Sequence, residues 1–217
     1  MKHGNELNLA IPNLPYYIDT VEGITLTQTN AIIVYIAEKH NLAGRCLKDR
    51  AVAHMLMEGL RDLAYDLFDL TYCDFPQREG GDNVHVEGED CCLSGLQEAP
   101  RYHMLRERYL RDTLPPHLTT YERILSQPLP SGPDSGSPSA RGRWLLGGDI
   151  TYVDFILYEY MEQHLLVDDG CLSPFPCLQQ HVQDMRALPA LQKYLTSAEF
   201  KKEPIHNRYS HLYRANA

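Results

Sequence analysis

The sequence predicts an α+β chain: a small β-hairpin-plus-helix unit at the front, then an all-helical domain. Three observations predict it. Two short apolar runs flank Val21-Glu22-Gly23, which reads as a tight turn between strands. Val52, Leu56, Leu60, Leu63, Leu67 and Leu70 then recur at spacings of four and three, a nearly unbroken helical stripe. Further on, Ile150-Thr151-Tyr152-Val153-Asp154-Phe155 opens another helix with a capping box. The division falls at 1–44 and 45–217, with inserts at 78–99 and 128–142.

The elements follow in order. A strand near Tyr16–Asp19 is entered through an Asn-Leu-Pro bend and answered by a strand over Ile24–Leu26. Thr27 or Thr29 caps a helix running to about His40, with Ile32, Ile33, Ile36 and Ala37 on its apolar side. Asn41 to Gly44 ends it. The striped helix covers about Lys48–Tyr72, and its length suits a bundle. Residues 78–99 mix glycines with acids and read as an exposed insert. A helical region over about Tyr102–Leu125 follows, with Met104, Leu105, Leu118, Tyr121, Ile124 and Leu125 as its core candidates. Pro115-Pro116 breaks it or starts a second helix there. Residues 128–142 are rich in proline, serine and glycine and predict disorder. Helices over about Tyr152–Val167 and Leu178–Leu188 complete the chain.

Composition excludes more than it names. The chain has 217 residues and a formal net charge of −9. Phosphate binding needs several cations on one face, and no Lys/Arg cluster is present, so neither nucleic acid nor an anionic membrane is an expected partner. No apolar run is long enough to span a bilayer, and the first residues lack a secretory pattern. Six cysteines, two of them adjacent at Cys91-Cys92, fit reduced thiols and a cytoplasmic location. His85, Glu87, Glu89, Asp90, Cys91 and Cys92 have metal-capable chemistry without ligand spacing, so no metal is expected and a solvated acidic loop is the plainer reading. Nucleotide-loop, zinc-protease and serine-hydrolase signatures are absent from the sequence.

Two constellations have chemical potential. Pro15 stands directly before a strand, where a cis bond would turn the Leu14 backbone outward to pair with an extended peptide. Thr29 at a helix start adds a hydroxyl and unpaired N–H groups that suit a carboxylate. Together with Asn13 and Gln28 they could hold a small peptide acid; ordinary turn and cap residues are the plainer reading. Asp62 and Tyr72 lie ten residues apart on the long helix, within about 80° around its axis. A surface acid and a half-buried tyrosine are their default roles. The Thr151/Asp154 box is a folding device.

Three segments in order resemble the mu class of cytosolic glutathione transferases. They are Ile11-Pro-Asn-Leu-Pro-Tyr-Tyr-Ile-Asp19 continuing through Leu26-Thr-Gln-Thr-Asn-Ala-Ile-Ile to Tyr35-Ile-Ala-Glu-Lys-His-Asn-Leu42; Asp149-Ile-Thr-Tyr-Val-Asp-Phe155; and Cys171-Leu-Ser-Pro-Phe-Pro-Cys-Leu178. The resemblance covers the chain outside 78–99 and 128–142. It implies a partial thioredoxin-like unit ahead of the family's helical domain, and conjugation of reduced glutathione to electrophilic small molecules. Glutathione is then a co-substrate, with no further cofactor, and the assembly is a homodimer or a heterodimer with related subunits. Asn13, Leu14, a cis Pro15, Gln28 and Thr29 would contact glutathione, Thr29 standing where the mu pattern usually has serine. Asp62 would reach the partner subunit's glutathione. Tyr72, with Tyr65 and Asn207, would line the pocket for a hydrophobic electrophile.

The departures from the pattern shape the expectation. Mu enzymes begin with a β-α-β unit whose first strand carries the thiolate-stabilising tyrosine, and that tyrosine has no counterpart here, so the catalytic residue is left unassigned. Basic residues and tryptophans for the glycine end are also missing; Trp144 is the only tryptophan and lies far from them in sequence. Ile11 replaces the aromatic key of the mu dimer. Three readings stay open: a transferase, a catalytically impaired member that binds ligands or dimerises, and a fragment or splice form.

Overall fold

The computed structural model describes residues 9–73, 100–127, 143–200, 206 and 210–212. The predicted inserts at 78–99 and 128–142, the acidic His85–Cys92 stretch and Asn207 lie outside the described residues.

Strands β1 (Tyr16–Asp19) and β2 (Ile24–Thr27) form an antiparallel hairpin, with Tyr16 opposite Thr27 and Asp19 opposite Ile24. Asp19 fixes its turn: its carboxylate accepts the Val21 and Glu22 N–H groups at 3.0 and 3.1 Å. The same carboxylate accepts the Tyr35 hydroxyl at 3.0 Å and pairs with Lys39, both on helix α1 (Thr29–Lys39). One buried acid therefore ties hairpin to helix, and these donors hold its pKa well below the usual carboxylate range, Lys39 contributing most.

Helix α1 begins without a side-chain cap, because Gln28 takes φ 71° at the capping position. The predicted threonine cap does not form; Thr27 instead donates its hydroxyl to the Ile11 carbonyl at 2.7 Å. Asn41 (φ 57°) and Gly44 (φ 101°) turn the chain out of α1, and a Cβ at Gly44 would stand 2.6 Å from the Asp49 Cβ.

Helix α2 (Leu47–Thr71) buries Leu56, Leu60, Leu63, Leu67 and Leu70, the predicted stripe; Val52 is only half-buried. The region after it is α3 (Pro100–Arg108), a π-helical turn over Tyr109–Thr113, and α4 (Leu114–Ser126). A proline cannot donate to the carbonyl behind it and its ring crowds that carbonyl. The wide turn lets the helix continue into Pro115-Pro116 at the start of α4. Helix α5 (Tyr152–Val167) crosses the centre with Val153, Leu157 and Met161 fully buried, and α6 (Pro176–Arg186) packs on α4 and α5. At the head of α5, the buried Asp154 carboxylate accepts the Thr151 and Leu145 N–H groups, each at 2.8 Å. Glu122 of α4 accepts the Cys177 and Leu178 N–H groups at 2.9 Å, covering the exposed donors at the start of α6. A short α7 (Pro189–Leu195) follows, which the sequence reading does not include.

Candidate functional site

The Leu14–Pro15 peptide bond is cis. It sits beside the start of α1: the Asn13 side-chain amide reaches the Gln28 side-chain oxygen at 3.5 Å, and Leu14 is 78% exposed. Asn13, Leu14, Pro15, Gln28 and Thr29 thus come together at one exposed edge of the hairpin unit. One detail differs from the sequence reading. The Leu14 N–H is taken by the Asn13 side-chain oxygen at 2.9 Å, so the Asn13 amide must swing away before that N–H can meet a peptide ligand.

Thr29 also marks the rim of a cavity of about 660 Å³ between α1, α2 and α5. Ile33 and Ile36 of α1, Met57 and Phe68 of α2, and Phe155 and Ile156 of α5 supply apolar walls. This explains why Ile33 and Ile36 stay half-buried although they lie on the apolar side of α1, whereas Ile32 and Ala37 are buried. The lining also includes His206, whose ring stacks on Tyr72 at 5.7 Å and an 8° interplanar angle, with Phe68 at 5.4 Å. His206 Nε2 faces the Gln163 side-chain oxygen at 3.2 Å and Nδ1 the Ser210 hydroxyl at 3.0 Å. Burial lowers the pKa of this imidazole, which favours the neutral ring.

The predicted pocket residues separate. Tyr72 stands behind His206 and meets the cavity through it. Tyr65 is 57% exposed and lies outside the lining, near the Arg61 guanidinium at 6.0 Å from its ring centre. Asp62 is exposed and raises the pKa of the buried Tyr121 through its charge, a smaller contribution than burial, so it faces α4 rather than the cavity. Asn207 lies outside the described residues. Sequence reasoning missed Phe68, Phe155, Tyr160 and His206. For Phe68 a signal existed, an aromatic residue one step off the leucine stripe. His206 had none, because only the folded chain brings residue 206 back to α2.

A second cleft of about 590 Å³ lies between the end of α1, the start of α2 and the 146–151 loop. Its charges already pair: Arg45 with Asp149, and Arg50 with Glu38 at 3.7 Å. Such pairs leave little charge for a ligand. Among the described residues, no group of three His, Cys, Asp or Glu side chains is placed to hold a metal ion.

Residues 93–198 match the family model described as glutathione S-transferase, C-terminal domain. The class-mu 26 kDa isozyme 1 glutathione S-transferase of Fasciola hepatica is 32% identical over 200 residues, covering 92% of this chain and 71% of that protein. This chain belongs to the mu-class glutathione S-transferase family. The Schistosoma japonicum class-mu 26 kDa isozyme is 32% identical over 201 residues, with 92% of this chain and 72% of that protein covered. Glutathione S-transferase Mu 2 of Pongo abelii is 31% identical with the same coverage. Among solved structures, the Onchocerca volvulus Pi-class glutathione S-transferase superposes with a TM-score of 0.58 at 25% identity, covering 79% of this chain. The chain spans 64% of that structure. The glutathione S-transferase fold accounts for a two-stranded sheet and helix followed by helices, and no described helix is long and apolar enough to cross a membrane.

Proposed function

We propose that this glutathione S-transferase conjugates reduced glutathione to hydrophobic electrophiles. One observation carries the reading: the cis-Leu14–Pro15 loop and the Gln28–Thr29 helix start share an edge with a large apolar cavity. A peptide acid needs backbone pairing and donors for its carboxylate, which that edge supplies. An electrophile needs apolar surface to lie against, which Ile33, Ile36, Met57, Phe68, Phe155 and Ile156 offer in this open cavity. Asn13, Leu14 and Pro15 hold the cysteinyl region of glutathione, and Gln28 and Thr29 its γ-glutamyl end. The electrophile lies between α1, α2 and α5, with His206 in the wall and Tyr72 stacked on it. Asp62, exposed on α2, serves the glutathione of a partner subunit in a homodimer or a heterodimer with related subunits. The protein works in the cytoplasm, and its glutathione-binding unit ends near residue 44.

Retention on immobilised glutathione tests the binding half of this reading. The wild-type chain should be retained and eluted by free glutathione. Gln28→Ala should weaken retention by roughly 5- to 30-fold in affinity, the loss of one or two hydrogen bonds to a charged group. Equal retention of both proteins would remove Gln28 from the site.

A second reading, ligand binding without transfer, draws support from the tyrosines near this edge. The Tyr35 hydroxyl is committed to Asp19, and the Tyr17 ring packs on Tyr35 at 6.0 Å. A thiol needs a positioned donor to ionise near neutral pH, and a hydroxyl bound to a carboxylate is a poor one. Glutathione retention without conjugation would favour this second reading.

A further inference from the structure

At the exposed edge beside α1, the groups that a peptide acid would use are already joined to one another. The Leu14 N–H donates to the Asn13 side-chain oxygen at 2.9 Å, and the Asn13 side-chain amide reaches the Gln28 side-chain oxygen at 3.5 Å. An N–H can be met only by an acceptor, so Asn13 turns its oxygen to Leu14 and its NH2 group to Gln28. One side chain thus occupies a backbone donor and a side-chain acceptor together. The first contact has the length of an ordinary hydrogen bond and the second stands at the long limit, so the Leu14 bond supplies most of the closure.

The closing group has the chemistry of a ligand. A primary amide presents the same carbonyl oxygen as a peptide bond. On the Leu14 N–H, the Asn13 oxygen stands where a peptide carbonyl would pair. On Gln28, the Asn13 NH2 group stands where a ligand ammonium or amide would donate. The backbone on either side is held separately: the Thr27 hydroxyl donates to the Ile11 carbonyl at 2.7 Å, and the Gln28 carbonyl accepts the Ile32 N–H at 3.1 Å. Asn13, Leu14 and Gln28 are all exposed. The Asn13 side chain can therefore rotate into water without breaking core packing, and opening the edge costs only its own two contacts.

We propose that the Asn13 side chain is an internal competitor for the glutathione edge, closing it in the empty protein and giving way to the peptide carbonyl of the ligand. The inference rests on the reading of this edge as the glutathione site. The Asn13 backbone stays in the edge, and only the amide competes. Binding is then weaker than the edge alone would allow, by about the strength of the bond the ligand displaces.

Three forms of the 217-residue chain test this: the wild type, Asn13→Ala, and Asn13→Leu, which keeps the branching of asparagine but can form neither contact. Solvent exchange of the Leu14 amide is measured by NMR in the ligand-free proteins, each relative to the same residue pair in an unstructured peptide. The wild type should exchange about 2- to 10-fold more slowly than either variant, the net value of one neutral hydrogen bond. Reduced glutathione, titrated calorimetrically, should bind both variants about 2- to 10-fold more tightly than the wild type. A residue that merely shaped the loop would give the opposite sign when removed. Equal Leu14 exchange in the three proteins would overturn the closure. Glutathione binding that is equal or weaker in the variants would overturn the competition, and this inference would then fail alone. If glutathione binds none of the three, the proposed function fails and this inference with it.

Discussion

His164 has a fully buried imidazole with both ring nitrogens engaged, Nδ1 at 2.6 Å from the Tyr160 carbonyl and Nε2 at 2.8 Å from the Tyr109 hydroxyl. Nδ1 donates to that carbonyl, so Nε2 is left to accept the tyrosine proton, and the neutral ring satisfies both bonds. Burial lowers its pKa from 6.5 to about 4, the Tyr160 carbonyl opposing the shift and the charge of His117 adding to it. The unfolded chain then takes up this proton at a higher pH than the folded one. Stability from this site is complete above about pH 6.5, falls as pH drops toward 4, and levels off below; the loss is about 3 kcal/mol. Denaturant unfolding between pH 7 and 4 should show this slope, and His164→Asn should flatten it. An unchanged slope would assign the acid sensitivity to other groups. None of this was legible in the sequence, where His164 is one of several polar residues on its helix, beside Glu159, Glu162 and Gln163. Its partner Tyr109 lies 55 positions away, in a π-helical turn that no spacing rule signals.

At the scale of elements, the sequence was readable where structure is local. The predicted β1 matches its strand, and α2 and α5 follow from their periodicity and the Thr151/Asp154 box. It was less readable where tertiary contact decides. The start of α1 shifted because Gln28 adopts positive φ while Thr27 bonds to Ile11. α7 escaped because none of its residues is buried, so no apolar stripe marks it. The exposed edge that gathers Asn13, Leu14, Pro15, Gln28 and Thr29 was legible as an Asn-Leu-Pro and Gln-Thr pair of local signals. The cavity was not, because three helices far apart in sequence build it. The hairpin unit depends on Asp19 more than on apolar burial: Tyr16, Ile18 and Val21 are all exposed. Asp19→Ala should therefore speed amide hydrogen exchange through β1, β2 and the first turns of α1, while α2 and α5 keep their protection. Uniform protection across both parts would mean that the hairpin is held by something other than this acid.

For the whole molecule, a bundle built around Leu60, Leu63, Leu67, Leu157 and Met161 is the rigid part. The hairpin unit attaches to it through α1, which packs on α5 beside the backbone bond from the Tyr152 N–H to the Leu42 carbonyl at 2.9 Å. Bundle and hairpin unit meet along the cavity between α1, α2 and α5, whose lining includes both Thr29 and His206. That arrangement suits the proposed transfer of the glutathione thiol. Its most direct test is the initial rate of thioether formation from reduced glutathione and 1-chloro-2,4-dinitrobenzene, with the purified 217-residue chain against buffer. The rate should exceed buffer, rise in proportion to protein and fall in Gln28→Ala. A rate equal to buffer at every protein concentration would contradict it.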